Sequence, residues 1–340
     1  MALSAQTSAL LDEVLPHFGV ANATIHDIRT GRINKHWRVE AGRETYALRR
    51  YTQQRSISAL NYEHGILRHI DARGWPVAAP LPSVDGTQTL VDVRGRVYSL
   101  FPFLSGQPPP QNERYARVKG GLLARLHQDL ASWDALGQRR GFGRAWELDL
   151  YVAANCDHAT LNELLRAFGE AYPDLARTFR AQKYAMLREL STLGFGELPV
   201  VPCHFDFHRD NLLFQRGELT GLLDFDLTHL DSRVADIASS IFLDCYAPPA
   251  YKEISPTLAG QFVAGYVEHV SLADAELQII VPLVRAAILG LVVWRLTCWA
   301  RDEDRKTALQ SLHRSASERF PSFERGRSQL EAAVLQAAGR

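Results

Sequence analysis

The chain offers little for redox chemistry, thiolate–metal chemistry or membrane insertion. Its 340 residues include only four cysteines, Cys156, Cys203, Cys245 and Cys298. They are far apart, form no Cys-x-x-Cys and stand in apolar surroundings, a pattern that predicts reduced core thiols in a cytoplasmic protein rather than a disulfide frame. The 38 basic residues are matched by 38 acidic ones. The cationic surplus that a nucleic-acid partner demands is therefore missing. No G-x-x-x-x-G-K-[ST] occurs, which removes the common phosphate loop. No uninterrupted run approaches the roughly 20 apolar residues of a membrane span; the nearest, Ile279 to Val293, is broken by Arg285 and predicts a buried helix. Met1 to Val20 is amphipathic and contains Asp12 and Glu13, unlike a basic-then-apolar leader. Internal repeats and low-complexity tracts are absent too.

What stands out instead is His204-Phe205-Asp206-Phe207-His208-Arg209-Asp210-Asn211, followed by Leu223-Asp224-Phe225-Asp226. Phosphoryl transfer asks a protein for a carboxylate beside the acceptor hydroxyl, an amide oxygen on Mg²⁺ and a second carboxylate on the same Mg²⁺. Asp206, Asn211 and Asp224 supply them in that order. Asn211 to Phe214 reads as a short buried strand, Gln215 to Glu218 as a hairpin turn with Gly217, and Leu219 to Leu223 as the returning strand. The ribbon brings Asn211 and Asp224 to one end, where two oxygen ligands suit a hard cation. Two other readings compete. One is a solvated acidic loop. The other is a hydrolase metal site using His204, Asp206 and His208 on one face of an extended segment, with His229 as the remaining ligand.

The chain changes character near Leu104 to Pro110. Before it, strand-like segments alternate with turns at Thr30-Gly31, Ala41-Gly42, Asp85-Gly86 and Arg94-Gly95, interrupted by one helix over about Ser58 to Arg73. After it, the apolar period becomes helical over Val118–Leu130, Trp146–Asn155, Leu161–Leu193, Ala235–Cys245, Thr257–Val270 and Asp274–Ala300. This predicts an α+β, two-lobed protein: a small β-rich lobe over residues 1–104 and a larger, mostly helical lobe over 105–340, with chemistry at the seam.

The small lobe carries further signals. In the strand Tyr46 to Arg49, Ala47 and Arg49 share a face, and Glu63 on the following helix is placed to pair with Arg49, whose fork suits nucleotide phosphates. The segment from Thr30 to Val39 reads as a hairpin tip whose amides would cover phosphates. Phe101 and Phe103, on the strand that enters the linker, suit a nucleobase slot. Pro102 lacks an N–H, so the donor to the base is expected from Phe103.

With these residues assembled, the chain resembles the aminoglycoside phosphotransferase and choline kinase superfamily, from about Ile25 to Trp299. The resemblance rests on His204 to Asn211, Asp224-Phe225-Asp226 and Asp236-Ile237-Ala238. Leu122 to His127, Pro76 to Pro80 with Asp85-Gly86, and Phe101 to Gly106 add to it. Taken with Gly217 to Phe225, these last stretches look most like the kinase-fold type of homoserine kinase. The resemblance implies a bilobal protein-kinase-like fold and a phosphotransferase using ATP and Mg²⁺. Asp206 would be the catalytic aspartate, Asn211 and Asp224 the metal ligands, and His204 and Asp236 supports of the catalytic loop. Arg49 stands where the family usually has lysine. From residue 101 onward the chain has 29 acidic and 26 basic residues, too even for a polycationic antibiotic. Homoserine or a related amino alcohol is the expected acceptor, with Asp244, Tyr246, Trp294, Arg295 and Trp299 as candidate pocket residues. An antibiotic or sugar kinase and a nucleotide-binding pseudokinase are the alternatives. Neither nucleic acid nor membrane is an expected partner.

Overall fold

A computed structural model describes residues 5–28, 34–51, 56–92, 94–133, 139, 141–246 and 253–340. The Thr30-Gly31 tip lies outside these residues. The chain divides into two compact units, residues 1–108 with 212–223, and residues 109–211 with 224–340.

The first unit is built on an antiparallel sheet in the order β1-β2-β3-β5-β4, from β1 (Thr24–Ile28), β2 (Lys35–Ala41), β3 (Glu44–Arg50), β4 (Leu90–Val91) and β5 (Val97–Pro102). Alternation sorts its side chains. Trp37, Val39, Leu48, Tyr98 and Leu100 form one buried face, covered by Leu11, Val14, Leu15 and Phe18. Leu11 and Val14 belong to a helix, α1 (Ala5–Val14), so the described residues of the N-terminal region hold an α-helix beyond the one expected. The opposite face meets α2 (Ile57–Asp71), whose first turn is capped by the Ser56 hydroxyl accepting from the Ala59 N–H.

A ribbon completes this unit. β7 (Leu212–Gln215) and β8 (Glu218–Leu222) are joined at Arg216 and Gly217, both at positive φ (52° and 89°), as a two-residue hairpin turn needs. A bulge opposite Leu213 and Phe214 leaves Thr220 unpaired in the ladder, and its hydroxyl donates to the Ser105 carbonyl at 2.8 Å. Phe214 exchanges both backbone hydrogen bonds with Gln107, and the Leu222 N–H donates to Pro76 O. These bonds are why the ribbon, which lies in sequence among the helices, packs with the sheet-bearing unit.

Among its described residues the second unit is helical apart from loops and the strand pair β6 (Val201–Cys203) and β9 (His229–Asp231). Its helices are α3 (Glu113–Ala131), α4 (Leu148–Asn155), α5 (Leu161–Ala171), α6 (Pro173–Thr192), α7 (Arg233–Asp244), α8 (Pro256–Val267), α9 (Asp274–Ala300), α10 (Arg305–Arg314) and α11 (Phe320–Ala337). The single helix expected over Leu161–Leu193 is two, because Pro173 begins a new helix and cannot continue the old one. Helices α10 and α11 were not expected. α3 and α8 touch through glycines: a Cβ on Gly120 would stand 1.8 Å from the Phe262 carbonyl oxygen, and one on Gly265 1.9 Å from that of Arg117. By length and composition α9 could cross a bilayer although no uninterrupted apolar run reaches that length, yet 72% of its most apolar window is buried inside the protein, and Ile279 to Val293 is the buried helix expected. Arg285 interrupts it and pairs with Glu189 (2.6 Å) and Glu324 (2.7 Å).

Candidate active site

In the second unit, β6 ends at Cys203 and the chain turns sharply. The N–H groups of His204 and Phe205 both donate to the Asp236 carboxylate, at 2.6 and 3.0 Å. Asp236 sits in the first turn of α7, where a negative charge complements the helix dipole. A third contact comes from His127 Nε2 at 3.0 Å, and His127 Nδ1 meets the Tyr266 hydroxyl at 2.8 Å. Burial alone would raise the Asp236 pKa, but the His127 contact and the neighbouring imidazoles outweigh it and hold the group below its usual value. Phe205 has φ +64°, unusual for a bulky residue. Its ring stacks on His229 at 4.2 Å, and its carbonyl accepts from Ser239 Oγ at 3.1 Å. Strain of this kind persists where surrounding contacts over-determine it.

The turn presents Asp206, whose own N–H donates to His204 Nδ1 (3.2 Å). One Asn211 amide nitrogen donates to both Asp206 Oδ2 (2.8 Å) and Asp206 O (2.9 Å). With its NH₂ turned this way, Asn211 keeps its oxygen available for a cation. Residues Leu212 and Leu222 are paired, so Asn211 and Leu223 flank the open end of the ribbon and Asp224 follows directly. Asp224 is also at positive φ, +58°, and its Oδ1 accepts a long bond from the Asp226 N–H (3.4 Å). An amide oxygen and a carboxylate brought together by a hairpin fit a hard, oxygen-seeking divalent cation.

His208 Nε2 lies 3.4 Å from Asp206 Oδ1 and 3.2 Å from the Asn211 amide nitrogen. Burial lowers its pKa, but Asp206, Asp244 and Asp210 together raise it above the ordinary value. Behind the loop, Asp244 Oδ2 accepts the Arg209 N–H at 3.0 Å and pairs with Lys119, and both side chains are buried. Burial raises the Asp244 pKa, against the pull of Lys119. Asp244 is therefore engaged in the interior. Trp299 packs edge-on against the buried Phe168 at 4.9 Å, and Arg295 lies over the Trp294 ring at 4.1 Å. Tyr246 is raised to about 12 by burial.

The hydrolase reading fails on geometry. Among the described residues, the only three possible ligands within 4.8 Å of one another are His127, Cys203 and Asp236. That buried trio is the support of the turn, with Asp236 already accepting from two amides. His229 lies under Phe205, its pKa pushed down to about 4 by burial.

In the first unit, Arg49 Nη1 pairs with Glu63 Oε1 at 2.8 Å, and Arg49 Nε donates to His36 Nε2 at 3.0 Å. His36 and Ser99 face Arg49 across the two neighbouring strands. Glu63 is buried while the Arg49 side chain keeps 17% of its exposure. The guanidinium also stands over the Phe101 and Tyr51 rings, at 5.3 and 5.7 Å. Tyr51 OH meets His64, whose pKa falls to about 4 through burial and the nearby arginines Arg49 and Arg68. Sequence reasoning named Arg49, Glu63 and Phe101 but missed His36, Tyr51 and His64; of these, His36 shares the strand-pairing register with Arg49 and could have been found from it. Phe103 is corrected in one respect. Its N–H donates to Thr45 O at 3.1 Å within the sheet, so it is not a free donor for a nucleobase. The Phe103 ring instead lies under Arg38 at 5.1 Å.

Comparison with known proteins bears on the family and the fold. The APH family model, the phosphotransferase enzyme family, matches residues 24–275. A homoserine kinase of Rhodospirillum rubrum is 28% identical over 275 residues, 80% of this chain and 79% of that one. Among solved structures, the amicoumacin kinase hAmiN aligns with a TM-score of 0.69 at 16% identity, covering 92% of this chain and 93% of its own. A microcompartment-associated aminopropanol kinase aligns with 0.68 at 18%, covering 97% and 99%. These two likenesses show a kinase-like fold. With the family model spanning most of its length, the chain belongs to the phosphotransferase enzyme family and is an ATP-dependent small-molecule kinase.

Proposed function

We propose that this enzyme moves the γ-phosphate of ATP, held with Mg²⁺, to the hydroxyl of a small amino alcohol, homoserine or a close analogue. The observation that carries the reading is the joint placement of Asp206 and Asn211, with the amide nitrogen of Asn211 bonded to the Asp206 carboxylate. Asp206 orients the acceptor hydroxyl and takes its proton as the oxygen attacks phosphorus. Asn211 and Asp224 would hold the cation, which neutralises charge gathering on the phosphate oxygens. Arg49, fixed by Glu63, would grip phosphate, and Phe101 would line the base slot. Residues 1–104 are assigned to the nucleotide and 105–340 to catalysis and the acceptor.

Support for the acceptor class comes from the even charge of residues 101–340 and from relatives named homoserine kinase. The base and both metal positions are intact, which favours an active enzyme over a pseudokinase. We place it in the cytoplasm, as its reduced thiols suit. The test is Mg²⁺-dependent ATP turnover against a panel of amino alcohols, sugars and antibiotics. Turnover highest with homoserine or another hydroxy amine supports the reading. Turnover confined to an aminoglycoside refutes the acceptor class, and none with any alcohol refutes catalysis.

A further inference from the structure

Lys119 is a charged residue with nothing polar to do at the surface, since it is buried in the middle of α3. Its ammonium pairs with Asp244, the last residue of α7, also buried. Placing two charges in the interior carries a desolvation penalty that an apolar pair of similar size would avoid, so such a pair is weak evidence for stability and invites another explanation. The explanation is visible at the same oxygen. Asp244 Oδ2, the atom paired with Lys119, also accepts the N–H of Arg209 at 3.0 Å. Arg209 opens the single turn Arg209–Asn211, and the Asn211 N–H closes back on His208 O at 3.0 Å.

Both partners are themselves fixed. At Gly120, adjacent to Lys119, the backbones of α3 and α8 approach so closely that a Cβ would collide with the Phe262 carbonyl, so α3 is packed directly on α8 here. The carbonyl of Asp244 accepts from the Gln111 side chain, which stands just before α3. We infer that Lys119 and Asp244 form a clamp on the backbone of the metal-binding turn, so that Lys119 is a positioning residue for Asn211. A carboxylate without a partner would swing or protonate; held by Lys119, it keeps one oxygen on the Arg209 amide, and Asn211 presents its oxygen at a fixed place. The inference rests on the metal role proposed above for Asn211.

Two variants separate clamp from scaffold. Lys119→Met with Asp244→Asn removes both charges together, leaving no lone buried ion. Asp244→Glu keeps the charge pair but pushes the carboxylate out by one methylene, away from the Arg209 amide. Mn²⁺ binding with a non-hydrolysable ATP analogue is measured by calorimetry, alongside urea unfolding and kcat per folded molecule. Supports of a metal ligand typically change metal affinity or activity by about 10–100-fold. Both variants are therefore expected to remain folded, to bind Mn²⁺ about tenfold more weakly, and to bind the metal-free analogue normally. Mn²⁺ affinity and kcat within twofold of wild type in Asp244→Glu would overturn the clamp and leave a purely structural pair. A wild-type protein that binds no Mn²⁺ with the analogue would overturn the metal role of Asn211 itself, and the clamp with it.

Discussion

Replacing Asp236 by Asn changes two atoms' chemistry and no volume, and its effect follows from the three donors around it. The carboxylate accepts from His204 N, Phe205 N and His127 Nε2. An asparagine oriented with its oxygen toward His204 and His127 turns its NH₂ toward the Phe205 N–H, donor against donor. One buried amide is then unpaired, at about 1–3 kcal/mol, and the other two bonds lose their charge assistance, about 1 kcal/mol each. The sum, about 3–5 kcal/mol, matches the usual result of breaking a buried pair. A domain of ordinary stability survives such a loss, so activity is measurable. Urea unfolding gives the stability change, and kcat is expressed per folded molecule. The kcat should fall as well, because Phe205 loses an anchor that holds it at φ +64° and Asp206 loses its place. Adding Phe205→Gly to the Asp236→Asn protein should restore kcat more than stability, since glycine adopts that angle unaided. A stability loss under about 1 kcal/mol with kcat unchanged would refute the claim that Asp236 holds the turn.

Asp206→Asn should lower kcat by about 10²–10⁴-fold and leave ATP affinity near wild type, and a variant keeping more than about a tenth of kcat would show that Asp206 is not the base. Asp224→Ala should weaken Mg²⁺-dependent ATP binding as well as turnover, which calorimetry checks directly. Arg49→Met should raise KM for ATP and lower kcat, Glu63→Gln should do less, and the double variant should be little worse than Arg49→Met; strictly additive losses would uncouple the pair. Acid should loosen the first unit between pH 6.5 and 4: His64 has a folded pKa lowered to about 4 from 6.5, so its contribution is complete above 6.5 and disappears as pH falls toward 4. That contribution is at most about 3 kcal/mol, and hydrogen exchange in α2 should follow it in wild type but not in His64→Gln.

Much of this was legible in the sequence because it is local. The spacing of Asp206, Asn211 and Asp224 and the turn at Gly217 lie within about twenty residues, and Arg49 and Glu63 are separated by one strand end and one helical turn. The helix Asp274–Ala300 was legible through its length of mostly apolar residues, with Arg285 as the one charge inside the Ile279 to Val293 stretch. What escaped was assembled from afar. Tyr266 acts on the loop only through His127, and Lys119 only through Asp244, from helices whose sequences mark them only as members of ordinary helical faces. Helices α10 and α11 are rich in charge, and it is packing, of α10 on α9 and of α11 on both α8 and α9, that makes sense of them. The commitment of the Phe103 N–H to Thr45 depends on strand register, which a one-residue slip would reverse.

The long helix α9 has a consequence for the protein's birth. As it leaves the ribosome, before α6 and α11 have closed around it, this segment has the length and greasiness of something the insertion machinery collects. Arg285, near its midpoint, is the counterweight: an arginine at the centre of a bilayer helix is disfavoured by about 2.5–3.5 kcal/mol, enough to cancel several leucines. In the finished fold the same guanidinium is satisfied by Glu189 and Glu324. One side chain would thus both disfavour insertion of the nascent segment and tie it into its own domain, so an Arg285→Leu chain is expected to be more open to misrouting even if its catalytic turn were perfect.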